Sequence, residues 1–171
     1  MMKKLAVCFV LLMIPLLPLN SNLQAIEDHY QPVEKSPDTH PAFIQKIFKK
    51  GGKTFITMDY ILWYEGEEAN VKFREIEQDP EMTEAPDGYY IINNNRRLRT
   101  FEITDNASVL MQYYNRGGKA EDQDIVWNEP ISCAKFISLF RYKDNENLIE
   151  YPYHFTVKKG KIVKVVQQFI P

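Results

Sequence analysis

Cysteine is almost absent from this 171-residue chain. Of its two cysteines, Cys8 sits inside an N-terminal apolar stretch, so only Cys133 remains beyond residue 25 and no internal disulfide is expected. A basic excess is missing as well. Without residues 1–25, which carry Lys3 and Lys4, 19 basic side chains face 23 acidic ones, a formal charge of −4. A general polyanion binder is normally basic, so nucleic acid is not an expected partner. No apolar run reaches the roughly 20 residues that span a bilayer. Catalytic and ligand motifs are also lacking. No histidine pair has helical metal-site spacing, and no Cys/His cluster, Gly-rich phosphate loop or G-x-S-x-G elbow occurs. The acid-rich "EDQDIVWNE" lacks the central glycine and final glutamate of a calcium loop. No metal, cofactor or catalytic residue is therefore assigned.

The opening "MMKKLAVCFVLLMIPLLPLNSNLQA" has two lysines, an apolar run from Leu5 to about Leu19 and a polar end at Ala25. This is the order of a secretory signal peptide over residues 1–25, and it predicts a secreted protein. An uncleaved membrane tether is the alternative. Cys8 follows Val7 with the apolar run continuing past it, unlike a lipid-bearing cysteine, which follows the run. No sorting tail precedes Phe169, Ile170 and Pro171, so release from the cell is expected.

Residues 26–52 read as a flexible lead-in rich in proline, ending in a short helix or turn where Phe43, Ile44 and Ile47 fall at helical spacing before Gly51 and Gly52. Residues 53–171 read as a single β-rich globular domain. "KTFITMDYILWY" alternates Ile56, Met58, Tyr60, Leu62 and Tyr64 on one face and forms the strongest strand. A helix follows from Gly66, with Ala69, Phe73 and Ile76 as its apolar stripe and Glu68–Lys72 as an i,i+4 pair. Strands are expected at Tyr89–Ile92 and Leu98–Ile103, then a turn at Asp105 and Asn106 and a further strand in "ASVLMQYY". A second helix is expected from Asn128, with Pro130 in its first turn and Cys133, Phe136, Ile137 and Phe140 facing the core. "YPYHFTV" and "KIVKVVQQF" form a closing hairpin around Lys159 and Gly160.

Strands, a helix, then two final strands define an α+β fold: a small antiparallel sheet or a partly open OB-like barrel with two short helices. Nine phenylalanines and ten tyrosines beyond residue 25 supply its core in place of cross-links. "DYILWYEGEEA", "GYYIINNNRRLRT" and the closing "VKKGKIVKVVQQFIP" resemble a group of small exported bacterial proteins of unassigned function. That resemblance covers most of the chain beyond residue 25. It implies an export-associated domain and no particular activity.

The candidate contact surface is the segment containing Asn93, Asn95, Arg96, Arg97 and Arg99, whose guanidinium groups suit a carboxylate, a phosphate or an acidic wall polymer. The preferred reading is structural. Arg99 shares strand parity with Phe101 and Ile103, so it points coreward and needs a partner, for which the candidates are Asp59 or backbone carbonyls at a barrel end. Cys133 is expected to pack rather than react, and His154 to lie on the surface. Glu67, Glu68 and Glu75 read as solubilising helix-face acids. Trp63, Trp127 and the tyrosines offer stacking surfaces for a sugar or a protein.

These features predict a noncatalytic binding or interaction domain for an extracellular or cell-wall ligand or an exported protein, with membrane contact only through the leader. The alternatives are a small extracellular enzyme built from acids and arginines, or an accessory or inhibitor protein for another exported protein.

Overall fold

The computed structural model describes residues 29–95, 97–117, 124–141 and 143–170. The leader expected at 1–25 and the candidate residue Arg96 lie outside these residues. The elements are β1 (Thr39–Lys50), β2 (Lys53–Tyr60), β3 (Leu62–Glu65), α1 (Glu67–Glu77), β4 (Tyr89–Ile92), β5 (Leu98–Met111), β6 (Glu129–Ile131), α2 (Cys133–Leu139), β7 (Pro152–Lys158) and β8 (Lys161–Gln167).

Five strands close into a ring in the order β2-β1-β7-β8-β5, and β5 returns to β2. Every ring pairing is antiparallel except β5–β8. With α2 between the third and fourth ring strands, this is an OB-like barrel. β6 extends the sheet beyond β5, while β3 and β4 form a separate two-stranded ribbon. The ring buries Ile44, Ile56, Met58, Ile103, Tyr153, Phe155, Ile162 and Val165 in one core, onto which α2 lays Cys133, Phe136, Ile137 and Leu139.

The ring's first strand is β1, which corrects the boundary expected at residue 53 and the helix expected near residue 44. A β-bulge is the cause. Ile44 pairs with Met58 and Lys46 with Thr57, leaving Gln45 as an extra residue. The bulge changes side-chain parity, so Ala42, Ile44 and Ile47 all meet the core at a spacing that mimics a helix. Gly51 and Gly52, read as a helix stop, are the hairpin turn, with φ of 58° and 77°. Lys159 and Gly160 make the same kind of turn between β7 and β8.

Three other expectations change. Asp105 and Asn106 do not end a strand but occupy an irregularity inside β5, between Ile103 and Ser108. Residues 129–131 are strand, and α2 starts after Ser132, whose Oγ accepts the Lys135 N–H at 3.1 Å. The long strand expected over 53–64 bends at Ile61, which turns Leu62 outward to 49 % exposure while Trp63 is buried. α1 forms as expected on Ala69 and Phe73, but Ile76 is exposed, and Lys72 pairs with Glu75 at 2.6 Å instead of with Glu68.

Buried amides tie the segment after β5 to the end of β8. Gln167 Oε1 accepts the main-chain N–H groups of Gln112 and Tyr113, each at 2.9 Å. Gln112 Nε2 donates to Asn128 Oδ1 at 2.9 Å, and the Asn128 N–H donates to Gln112 Oε1 at 2.7 Å. These bonds satisfy polar groups that would otherwise be costly to bury.

Cys133 is buried at the start of α2, and burial raises its thiol pKa, with Asp105 adding to the effect. Native protein is therefore expected to react with a soluble thiol reagent at least tenfold more slowly than urea-unfolded protein. Equal rates would place the thiol outside the core.

Candidate functional site

A cleft of about 520 Å³ opens at one mouth of the barrel. One wall is the run from Tyr60 to Glu65. The N-terminal strap, Val33 to Ser36, also lines it, together with Thr39, His40, Pro41, Ile92, Asn94, Asn95, Arg99 and His154.

Tyr60 organises the polar end. Its ring stacks on His40 at 4.8 Å, and the Arg99 guanidinium carbon lies 4.3 Å from its centroid. Such a cation–π contact contributes on the order of 1 kcal/mol. Burial and the nearby Arg99 charge lower the His40 pKa, while burial raises that of Tyr60. Arg99 Nη1 donates to Arg97 O at 2.9 Å, and no ion pair joins Arg99 to a carboxylate among the described residues.

The expected Asp59–Arg99 pair does not form. Arg99 lies opposite Met58, on the inward face, whereas Asp59 lies opposite Leu98 on the outward face. Asp59 instead accepts Asn93 Nδ2 at 2.9 Å, and its Oδ1 has no hydrogen-bond partner. The Asn/Arg segment is thus divided: Asn93 serves the scaffold, and Asn95 Oδ1 accepts the Arg97 N–H at 3.2 Å while lining the cleft. Arg97 is exposed, and Arg99 enters the cleft.

His154 is buried rather than on the surface, because β7 is covered on both faces. Its Nε2 lies 2.9 Å from Gln168 Oε1. Gln168 Nε2 donates to the Tyr30 hydroxyl and to Phe169 O, both at 2.9 Å, so its oxygen is the acceptor and His154 carries its proton on Nε2. Tyr30 donates to Glu65 at 2.5 Å. This chain of bonds, with edge-on contact of Trp127 to Tyr30 and to Phe169, fastens the strap across the barrel mouth.

The acids of α1 lie elsewhere. Glu68 pairs with Lys35, Glu67 with Arg74 at 3.1 Å and Glu75 with Lys72. The described residues contain no group of three or more metal-ligating side chains. His40, Tyr60 and Glu65 are site residues that the motif search passes over, because none belongs to a recognisable pattern. Comparison with family models, curated proteins and solved structures finds no match for this chain.

Proposed function

We propose that the protein is a noncatalytic binding domain acting outside the cell, with the barrel-mouth cleft as its contact surface. The carrying observation is Arg99: a guanidinium set in an aromatic cleft, with a ring for support and no ion pair to a carboxylate among the described residues. An anionic group on the ligand supplies the missing partner through charge-assisted hydrogen bonds. The leader-like N-terminal sequence supports export and directs the search toward wall polymers, glycans and exported proteins. A screen of those classes is expected to yield one saturable partner, whose affinity falls at least tenfold in Arg99→Gln while far-UV circular dichroism is unchanged. The absence of any saturable partner would remove the proposal.

A second reading, a small extracellular enzyme, draws on Arg99 and His154 lining the same cleft. Glu34 or Glu65, which line the cleft, would have to supply its acid, since Asp59 is held by Asn93 and Glu68 is paired with Lys35. Turnover of a wall-polymer fragment, lost in Glu65→Gln but retained in Glu75→Gln, would establish that reading.

A further inference from the structure

Among the described residues, β3 makes its ladder hydrogen bonds along one edge, to β4. The Gly66 N–H donates to Gly88 O at 2.9 Å, and the β3–β4 register runs from Glu65–Tyr89 to Leu62–Ile92. Bonded and non-bonded positions alternate in an antiparallel pair. Gly66 is bonded, so Tyr64 and Leu62 turn their main-chain groups toward β4, and Trp63 and Glu65 turn theirs the other way.

That second edge is occupied by β1 only as far as Ile61, whose N–H donates to Pro41 O at 3.0 Å. Pro41 has no N–H to return the bond. Upstream, His40 and Thr39 pair with Phe155 and Thr156 of β7, and a turn closed by the Thr39 N–H on Ser36 O at 3.0 Å leads the strap away. Among the described residues no backbone group bonds Trp63 or Glu65 on this side. The cleft lies along this edge, lined by each residue from Tyr60 to Glu65.

An unpaired strand edge is a template for another strand, and main-chain bonds to such an edge give affinity with little demand on side-chain sequence. A strand antiparallel to β3 continues the direction of β1. It brings its C-terminal end toward Leu62 and hence toward Tyr60, His40 and Arg99. The planar Arg99 fork, with one nitrogen on Arg97 O and no ion pair to an acid among the described residues, is suited to a carboxylate.

We propose that the cleft takes an extended peptide segment of a partner protein as an added strand on Trp63 and Glu65, with its C-terminal carboxylate at Arg99. This assignment rests on the reading of the cleft as a binding surface, and it specifies the ligand class.

The test is amide hydrogen exchange by NMR on the purified protein with a panel of N-acetylated hexapeptides of alternating valine, threonine and tyrosine, each as free acid and as C-terminal amide. In the free protein the Leu62 and Tyr64 amides are expected to exchange slowly and those of Trp63 and Glu65 quickly. A bound peptide slows Trp63 and Glu65 at least tenfold. The acid form binds at least tenfold more tightly than the amide, and Arg99→Gln abolishes that difference. Trp63 and Glu65 already protected in dilute free protein, peptide binding without their protection, or equal affinity for acid and amide would each overturn the proposal. Protection that rises with protein concentration alone would assign the edge to a second copy of the chain. If a glycan or a small anion saturates the cleft and no peptide does, the binding-domain reading stands and the peptide assignment falls. If nothing saturates it, both fall.

Discussion

Taking the protein from pH 7 to pH 4 is expected to remove about 3 kcal/mol of folding stability through His154 alone. The ring is 7 % exposed, and burial holds its pKa at about 4, against an ordinary 6.5. The Gln168 hydrogen bond opposes burial but only in part. Above pH 6.5 the ring is neutral in both folded and unfolded chains, and the full stability is present. Between 6.5 and 4 the unfolded chain takes up a proton that the folded chain refuses, so each pH unit costs about 1.4 kcal/mol. Below pH 4 the folded form is protonated too, and the loss from this group levels off. His154 faces Pro41 on β1 and Val166 on β8 and shares the cleft with His40, Arg99, Lys35, Glu34 and Glu65. His40 titrates in the same direction. Urea unfolding from pH 8 to pH 4 is expected to show a steep wild-type profile that flattens in His154→Gln. Parallel profiles for the two proteins would assign the acid sensitivity to other groups.

Phe136→Ala is expected to cost about 3 to 5 kcal/mol, the range for emptying a phenylalanine site in a packed core. Phe136 is fully buried, meets Phe140 at 5.1 Å and Tyr153 at 5.9 Å in edge-on contacts, and carries α2 onto the barrel core. Tyr153 in turn donates to Leu148 O at 2.8 Å, so the same site supports the segment between α2 and β7. With no disulfide among the described residues to limit the unfolded chain, nothing covalent offsets the loss. Urea midpoints for wild type and Phe136→Ala at constant m-value measure it. A cost under about 1 kcal/mol would mean that the cavity collapses or that α2 is not held by this ring.

The elements that could be read from the sequence are those whose pattern is local. The alternation of Ile56 and Met58, the stripe of Ala69 and Phe73, and the Lys159–Gly160 turn each form as their spacing implies. β1 was hidden because one extra residue, Gln45, turns a two-residue period into a helical one. Pro130 reads as a helix start because proline suits a first helical turn, yet β5 claims the segment as β6. His154 sits on a strand whose outer face looks polar in sequence but is covered in space.

The candidate site was legible only where parity sufficed. Parity places Arg99 coreward, as observed opposite Met58, but the same rule sends Asp59 to the opposite face and so denies it the pair. Asn95 and Arg99 reach the cleft, but the stacking of His40 and Arg99 on Tyr60 joins β1, β2 and β5 across the ring. No local pattern encodes that meeting. The open edge of β3 was equally invisible, because it depends on where β1 leaves the ladder at Pro41.

The parallel β5–β8 pair has a consequence for how the chain is made. β8 is the last ring strand to be synthesised, yet it stands between β7 and β5. Until Lys161 to Gln167 have left the ribosome, β5 and β7 each keep an edge without its final neighbour, and the nascent polypeptide cannot complete its cylinder. Closure of the barrel is thereby deferred until β8 has emerged.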